Sequence, residues 1–238
     1  MPHEQSPNPI TRYGGKESEG YRYFASDFLP NRERHWQSLW LQAQVPILFP
    51  DVMSVLEFGG GRDVTRSLAR HFGIDYRSVD ISDRFFPDVV SSIADYPFTG
   101  EQVDLVSSFQ CLEHNDWEEV PALIGHMAKF SRRYVYLSVP YSGGWFSLSL
   151  SLRLPKIHWE KAWHKVFDGW GSRRVDVDAI KARPPERRRA AHWWEVGRPG
   201  LTRRQMIDTV EAHGLELVSC SHNPLFPHHM FLLLRKPG

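Results

Sequence analysis

Cysteine is nearly absent from this chain, with only Cys111 and Cys220 among 238 residues. Two thiols so far apart do not make the disulfide framework of a small secreted domain, so a reducing, cytoplasmic setting is the expectation. No charge of one sign dominates. Lysine and arginine total 29 against 28 acids, a net charge of +1, which argues against a strongly electrostatic partner such as bulk nucleic acid. No apolar run nears the roughly 20 residues of a membrane span. The opening MPHEQSPNPITRYGG also lacks the apolar segment of a signal peptide, so no membrane partner is expected. What is present is ordinary for a soluble globule: 41% hydrophobic and 24% charged residues. The length suits one embellished domain with a substantial core, and the composition leaves the oligomeric state open.

The best-ordered pattern runs from Val52 to Asp80. Val52, Val55, Leu56 and Phe58 form an apolar run of strand length. Gly59, Gly60 and Gly61 break it where the backbone must turn sharply and a ligand can come close. Asp63 is placed to cap a helix with Val64, Leu68, Ala69 and Phe72 on one face and Gly73 as its stop. A second strand, Ile74 to Val79, ends on Asp80. Such a unit binds ligands beyond the carboxyl ends of its strands. A dinucleotide loop reads G-x-G-x-x-G, and Val64 stands where its third glycine belongs, which disfavours a nicotinamide-dependent oxidoreductase.

Glu57-x-Gly59-x-Gly61, followed by the strand-terminal Asp80, resembles the class I S-adenosylmethionine-dependent methyltransferases. The resemblance implies a Rossmann-like α/β three-layer sandwich. Its seven-stranded, mostly parallel sheet would have the order 3-2-1-4-5-7-6 with an antiparallel C-terminal strand. It also implies S-adenosyl-L-methionine as cofactor, held by Glu57 near its amino acid group, by the bare backbone of Gly59, Gly60 and Gly61, and by Asp80, with Ile81 beside it, at the ribose. Further on, Ser92-Ile93, Pro97-Phe98, Val103-Asp104-Leu105-Val106 and Leu112-Glu113-His114 resemble the small-molecule branch typified by ubiquinone-pathway enzymes. Ser92 stands where that branch carries an aspartate for the adenine amino group. A serine hydroxyl accepts without charge, so Asp95 is an alternative reader and the backbone of Ile93 another contact. Gln110 and Cys111 follow the fourth strand, where the family passes the methionine arm; Cys111 reads as a small buried hydrophobe. His114 is either an acceptor-orienting base or a cap on the next helix.

Outside this unit the chain is rich in tryptophan and histidine, with 9 and 12 copies in all. Residues 1–26 are polar and read as a flexible arm, whose Tyr13, Tyr21, Tyr23 and Phe24 could fold over a site. Asn31 is placed to cap a helix with Trp36, Leu39, Trp40 and Ala43 as its apolar stripe, ended by Pro46 and Pro50. The methyltransferase domain is expected over 27–238, with helices near 120–128 and 203–213, a strand at 132–140 and a closing pair of strands. Thr202 and Gln205 make a capping box. The stretch 141–200 is too long to be structureless in a compact domain. It holds Trp145, Trp159, Trp163, Trp170, Trp193 and Trp194 and reads as a substrate-covering insert that walls an acceptor pocket.

Within it, His192-Trp193-Trp194-Glu195-Val196-Gly197 resembles an HxWE(I/V)G element of uncharacterised bacterial relatives of this fold. His192 is the first candidate for a general base and Glu195 its partner or a substrate ligand; the competing reading has the tryptophans anchor the insert. His158 and His164 are six apart, off the spacing of a helical zinc pair, and no metal is expected. His228 and His229 should point to opposite faces of the last strand. The cluster Lys181 to Arg189 is either an exposed loop or a site for an anionic acceptor. Together these features imply methyl transfer to a small-molecule acceptor, at oxygen because the Asn/Asp-Pro-Pro-Tyr motif of amino-group enzymes is replaced by Gln110-Cys111-Leu112. A fold relative without catalysis, serving as a binding scaffold, is the alternative.

Overall fold

The computed structural model describes residues 32–60, 63–170 and 173–237. The arm 1–26, the cap at Asn31, Gly61 and the side chain of Asp63 lie outside the described residues. Helix α1 (Arg32–Leu48) leads into β1 (Ser54–Phe58), α2 (Asp63–His71) and β2 (Asp75–Asp80). There follow β3 (Val89–Val90), β4 (Val103–Phe109), α3 (Val120–Phe130) and β5 (Ser131–Pro140). The insert contributes β6 (Gly144–Leu154), β7 (Ile157–Phe167), α4 (Val177–Lys181) and α5 (Pro185–Arg189). Helix α6 (Arg203–Glu211), β8 (Glu216–Asn223) and β9 (Phe226–Arg235) close the chain.

Seven strands form one sheet in the order β3-β2-β1-β4-β5-β9-β8. The first five pair in parallel, and β9 runs antiparallel to both β5 and β8. With the insert's two strands set aside, this is the order 3-2-1-4-5-7-6 that the family resemblance implied. The central strands are apolar on both faces because helices cover both. Successive side chains alternate, so Leu56, Phe58 and Val106 join Ile124, Met127 and Met206 on one side. Val55, Leu105 and Tyr136 join Val45 and Ala69 on the other. Each fully buried leucine or phenylalanine contributes about 1.5–3 kcal/mol.

Several local expectations hold, and others yield to packing. The Thr202–Gln205 capping box forms, and Gly73 and Gly214 adopt the left-handed backbone that stops their helices. On α1 the buried stripe is Ser38, Leu39, Gln42, Ala43 and Val45, while Trp36 and Trp40 are about half exposed. The sheet selects the narrow side of the helix, because small residues let it lie close. Pro46 sits inside α1, which runs on to Leu48. Phe72 is exposed, and α2 instead buries Thr65, Arg66 and Ala69. No described helix is long and apolar enough to cross a membrane.

The insert is not a loop. β6 and β7 pair only with each other, as a hairpin outside the main sheet. Opposed residues share a face, so Leu148↔Trp163, Leu152↔Trp159 and Leu154↔Ile157 line one side, and Ser147↔His164 and Ser151↔Glu160 the other. Trp145, Trp159, Trp163 and Trp170 are exposed, so these four do not build a closed wall. His158 pairs with Arg153, far along the hairpin from His164. The segment Lys181 to Arg189 forms parts of two short helices rather than a loop.

Two tests follow from this frame. Replacing residues 146–165 by a short Gly-Ser turn should change unfolding free energy by no more than about 1 kcal/mol, since those side chains join neither core; a larger loss in urea titrations would show hidden packing. The second concerns Asp104, buried at the start of β4. Burial alone would raise its carboxyl pKa. Hydrogen bonds from Arg132, the Met53 backbone and Ser54 outweigh that and hold it far below the usual carboxylate range. A depressed folded pKa means stability present above the unfolded value of about 3.9 and lost as pH falls below it. Asp104→Asn should cost about 1–3 kcal/mol at neutral pH and flatten the acid limb of the stability curve; an unchanged acid limb would refute the assignment.

Candidate active site

Three parallel strands end together at the glycine turn. Gly59 has a φ of +75°, and a Cβ there would lie 2.6 Å from the Cys111 sulfur. At Gly60 a Cβ would lie 2.7 Å from the Ser78 Cβ. Ser78 cannot retreat easily. Its hydroxyl is held by Arg66 and by Asp88, whose carboxylate also accepts from the Ser78 backbone at 2.9 Å. Bare backbone here is therefore a steric requirement, and it leaves a cradle of main chain without side chains at the strand ends.

Around this cradle stand the expected cofactor residues. Glu57 is buried on β1, and its Oε2 accepts from the Tyr76 hydroxyl at 2.5 Å. Its Oε1 would lie 3.7 Å from a Gly60 Cβ, on the turn's own side. Asp80 ends β2; burial raises its carboxyl pKa and the Ser82 backbone N–H donates to it at 2.7 Å. Ile81 beside it is 62% exposed, while Ile93 is buried. Ser92 and Asp95 are one unit: the hydroxyl donates to the carboxylate at 2.6 Å, and the Asp95 N–H donates back at 3.1 Å. Gln110 sits at φ +50°, a strained value for a residue with a Cβ. Its side-chain amide donates to Ser138 on β5 at 2.9 Å. For Cys111, burial and the nearby carboxylates of Glu113, Asp80 and Glu57 push the thiol up to about 12.

A second cluster lies where the insert returns to the end of β4. His114 follows β4 in a 3-10 turn, Leu112–His114, and does not cap α3. The insert returns there: the Trp193 N–H donates to Glu113 O at 2.8 Å, and the Trp194 indole donates to Asn115 O at 3.1 Å. This brings the His192 ring 5.4 Å from His114 and, stacked, 6.1 Å from His228 at the start of β9. Glu195 accepts from His192 Nδ1 at 2.9 Å, Ser142 Oγ at 2.6 Å and Arg198 Nε at 2.5 Å. Burial would raise its pKa, but these three donors lower it to about 2. The Glu195 hydrogen bond in turn raises the His192 pKa, whereas burial lowers those of His114 and His228. His229, on the opposite face, is buried against Ser38 at 2.7 Å. Ser142, Arg198 and His228 of this cluster line a cleft of about 720 Å³ together with Arg34, Tyr141, Arg173 and Phe226.

A family model for a methyltransferase domain matches residues 28–219. This chain belongs to that family. A search of curated protein sequences finds no match. Among solved structures, an amino pentose methyltransferase of Micromonospora echinaspora involved in calicheamicin biosynthesis, with SAM bound, is similar at TM-score 0.55 and 13% identity, covering 90% of this chain and 96% of that one. The 1,6-didemethyltoxoflavin N1-methyltransferase of Burkholderia thailandensis, with 1,6-didemethyltoxoflavin and S-adenosylhomocysteine bound, is similar at 0.54 and 12%, covering 91% and 84%. The magnesium protoporphyrin IX methyltransferase of Synechocystis PCC 6803, with SAM bound, is similar at 0.52 and 13%, covering 86% and 80%. At such identities the likeness is one of fold. Family and fold together make the protein a class I S-adenosylmethionine-dependent methyltransferase.

The methyltransferase brings His114 against the His192–Glu195 pair, which the sequence offered as one element. It adds Ser142 and Arg198, which reasoning along the chain left out of the site, and of the two adjacent histidines it is His228 that joins the cluster. The paired His228-His229 was a usable signal, since one of two adjacent strand residues faces each side; nothing local marked Ser142. The basic run Lys181 to Arg189 contributes no residue to the cleft lining. Gly60→Ala should lower stability by about 1–3 kcal/mol and weaken S-adenosylmethionine binding, because Ser78 is pinned beneath it; calorimetry showing wild-type affinity would contradict the cradle. Burial and the neighbouring carboxylates keep the Cys111 thiol protonated and unreactive. Iodoacetamide in slight excess should leave it unmodified in the folded methyltransferase, and rapid alkylation would show an exposed, activated thiol instead.

Proposed function

We propose that this methyltransferase transfers the methyl group to an oxygen of a small-molecule acceptor, with His192 as general base. The observation that carries the reading is the Glu195–His192 pair, whose carboxylate is held by Ser142 and Arg198 of the arginine-rich cleft. S-adenosylmethionine supplies, when bound, an electrophilic methyl on a sulfonium centre. Glu57 and the Gly59–Gly60 backbone would hold its amino acid end, with Gly61 and Gln110 beside it. Asp80 would accept from the ribose hydroxyls, and Ile81, Ile93 and the Ser92–Asp95 unit would flank the adenine. The residues present suit that ligand, since the turn carries no side chain at Gly59 or Gly60 and carboxylates stand at the ends of the two strands beside it.

Methyl transfer is an in-line displacement, so most of the acceleration comes from positioning. The remaining demand is proton removal from the attacking hydroxyl. His192 Nδ1 faces a carboxylate that can only accept, so Nδ1 carries the ring proton and Nε2 is the lone-pair nitrogen. Glu195 fixes that tautomer and stabilises the imidazolium formed when Nε2 takes the acceptor's proton. Ser142 and Arg198 hold Glu195 in turn. Arg34 and Arg173 in the cleft favour an acceptor carrying a carboxylate or phosphate, with Tyr141 and Phe226 as apolar faces.

His192→Ala should depress turnover about 100-fold or more while leaving the Kd for S-adenosylmethionine within about twofold; unchanged turnover would remove it from the mechanism. Asp80→Asn should do the reverse, raising that Kd at least about tenfold. A folded wild-type sample that takes up no S-adenosylmethionine in calorimetry would favour a binding scaffold.

A further inference from the structure

His114 and His192 show the same preparation although they come from different parts of the chain. Each ring has its Nδ1 against an oxygen that can only accept: Ala191 O at 3.0 Å for His114 and the Glu195 carboxylate at 2.9 Å for His192. Both rings therefore carry the proton on Nδ1 and present Nε2 as a lone pair. Outer acceptors that fix histidine tautomers in this way are the usual second layer around a metal ion. Beside the two rings lies Glu113, whose side chain is fully buried. One ligand atom from each of Glu113, His114 and His192 lies within 4.8 Å of the other two. Donors on a tetrahedral ion at 2.0–2.1 Å stand about 3.3 Å apart, so modest side-chain movement closes the set.

We propose that Glu113, His114 and His192 form a binding site for a divalent transition ion of the zinc class. Two imidazoles and one carboxylate suit such an ion better than magnesium or calcium, which take oxygen ligands. Three protein ligands leave the fourth position of a tetrahedral ion open. An acceptor hydroxyl bound there becomes more acidic and loses its proton to cleft water, and the resulting alkoxide attacks the methyl carbon as the carbon–sulfur bond breaks. This rests on the reading above as methyl transfer to an acceptor hydroxyl and replaces one role within it: with the ion present, His192 is a ligand and cleft water takes the proton.

The test uses untagged full-length protein, stripped with a chelator and titrated with Zn²⁺ by calorimetry and with Co²⁺ by visible absorption. One ion per chain, and a cobalt band of low-coordinate nitrogen-oxygen type, is the expected result. His114→Ala and Glu113→Gln should each weaken binding at least tenfold without changing the Kd for S-adenosylmethionine, which also reports that the variants fold. Should the buried Glu113→Gln fail to fold, His114→Ala and the wild-type cobalt spectrum decide the matter. Substoichiometric uptake, or binding that His114→Ala leaves intact, overturns the proposal. Full turnover after chelation also overturns it and leaves His192 as a base. Loss of S-adenosylmethionine binding by the wild type is a separate outcome, which strikes the methyltransferase reading itself.

Discussion

The site depends on how closely three strand ends approach one another. β1 finishes in two residues without side chains, and the neighbours fill that space from both sides: Cys111 from beyond β4 presses on Gly59, and Ser78 of β2 lies under Gly60. A Cβ at either position would force the strands apart. Ser78 is fixed by Arg66 and Asp88, a buried polar network that α2 delivers to the edge of the cradle. Backbone exposed in this way can lie against a ligand, while carboxylates at the ends of β1 and β2 supply charge. Binding geometry thus follows from packing before any residue contacts a cofactor.

The second cluster is organised differently, by a hub instead of a close approach. Glu195 gathers donors from β5's exit, from its own neighbour His192 and from Arg198. A carboxylate with three donors is a fixed anion, and it sets the tautomer and orientation of the imidazole next to it. The insert that carries this hub is held down by Trp194, which stacks edge-on with Trp117 and donates to Asn115. The anchor and the His192–Glu195 pair are therefore parts of one short element. The two readings of His192-Trp193-Trp194-Glu195, structural or functional, describe different faces of the same turn.

The hairpin between them reaches the cleft and the core at its base, through Trp145 and Val166. Its leucines and tryptophans alternate with serines and charges, as in a half-buried sheet, yet Leu148, Leu150, Leu152, Leu154, Trp159 and Trp163 stay exposed. Tryptophan number alone therefore misrepresents where the apolar surface of the insert goes. Only Trp193 and Trp194 of its six join the core.

Local chemistry along the chain determined the strand–glycine–helix start, the carboxylates at Glu57 and Asp80, and the Thr202 capping box, because each is set by residues a few positions apart. The sheet order came through family resemblance, since pairing between distant strands leaves no local periodicity. Which face of α1 is buried, and that Phe72 stays outside, were decided by the shape of the sheet beneath. The meeting of His114, His192 and His228 was likewise beyond any local pattern: three segments converge only once β4, the insert and β9 are laid side by side. Spacing specifies what an element is, and packing specifies what it meets.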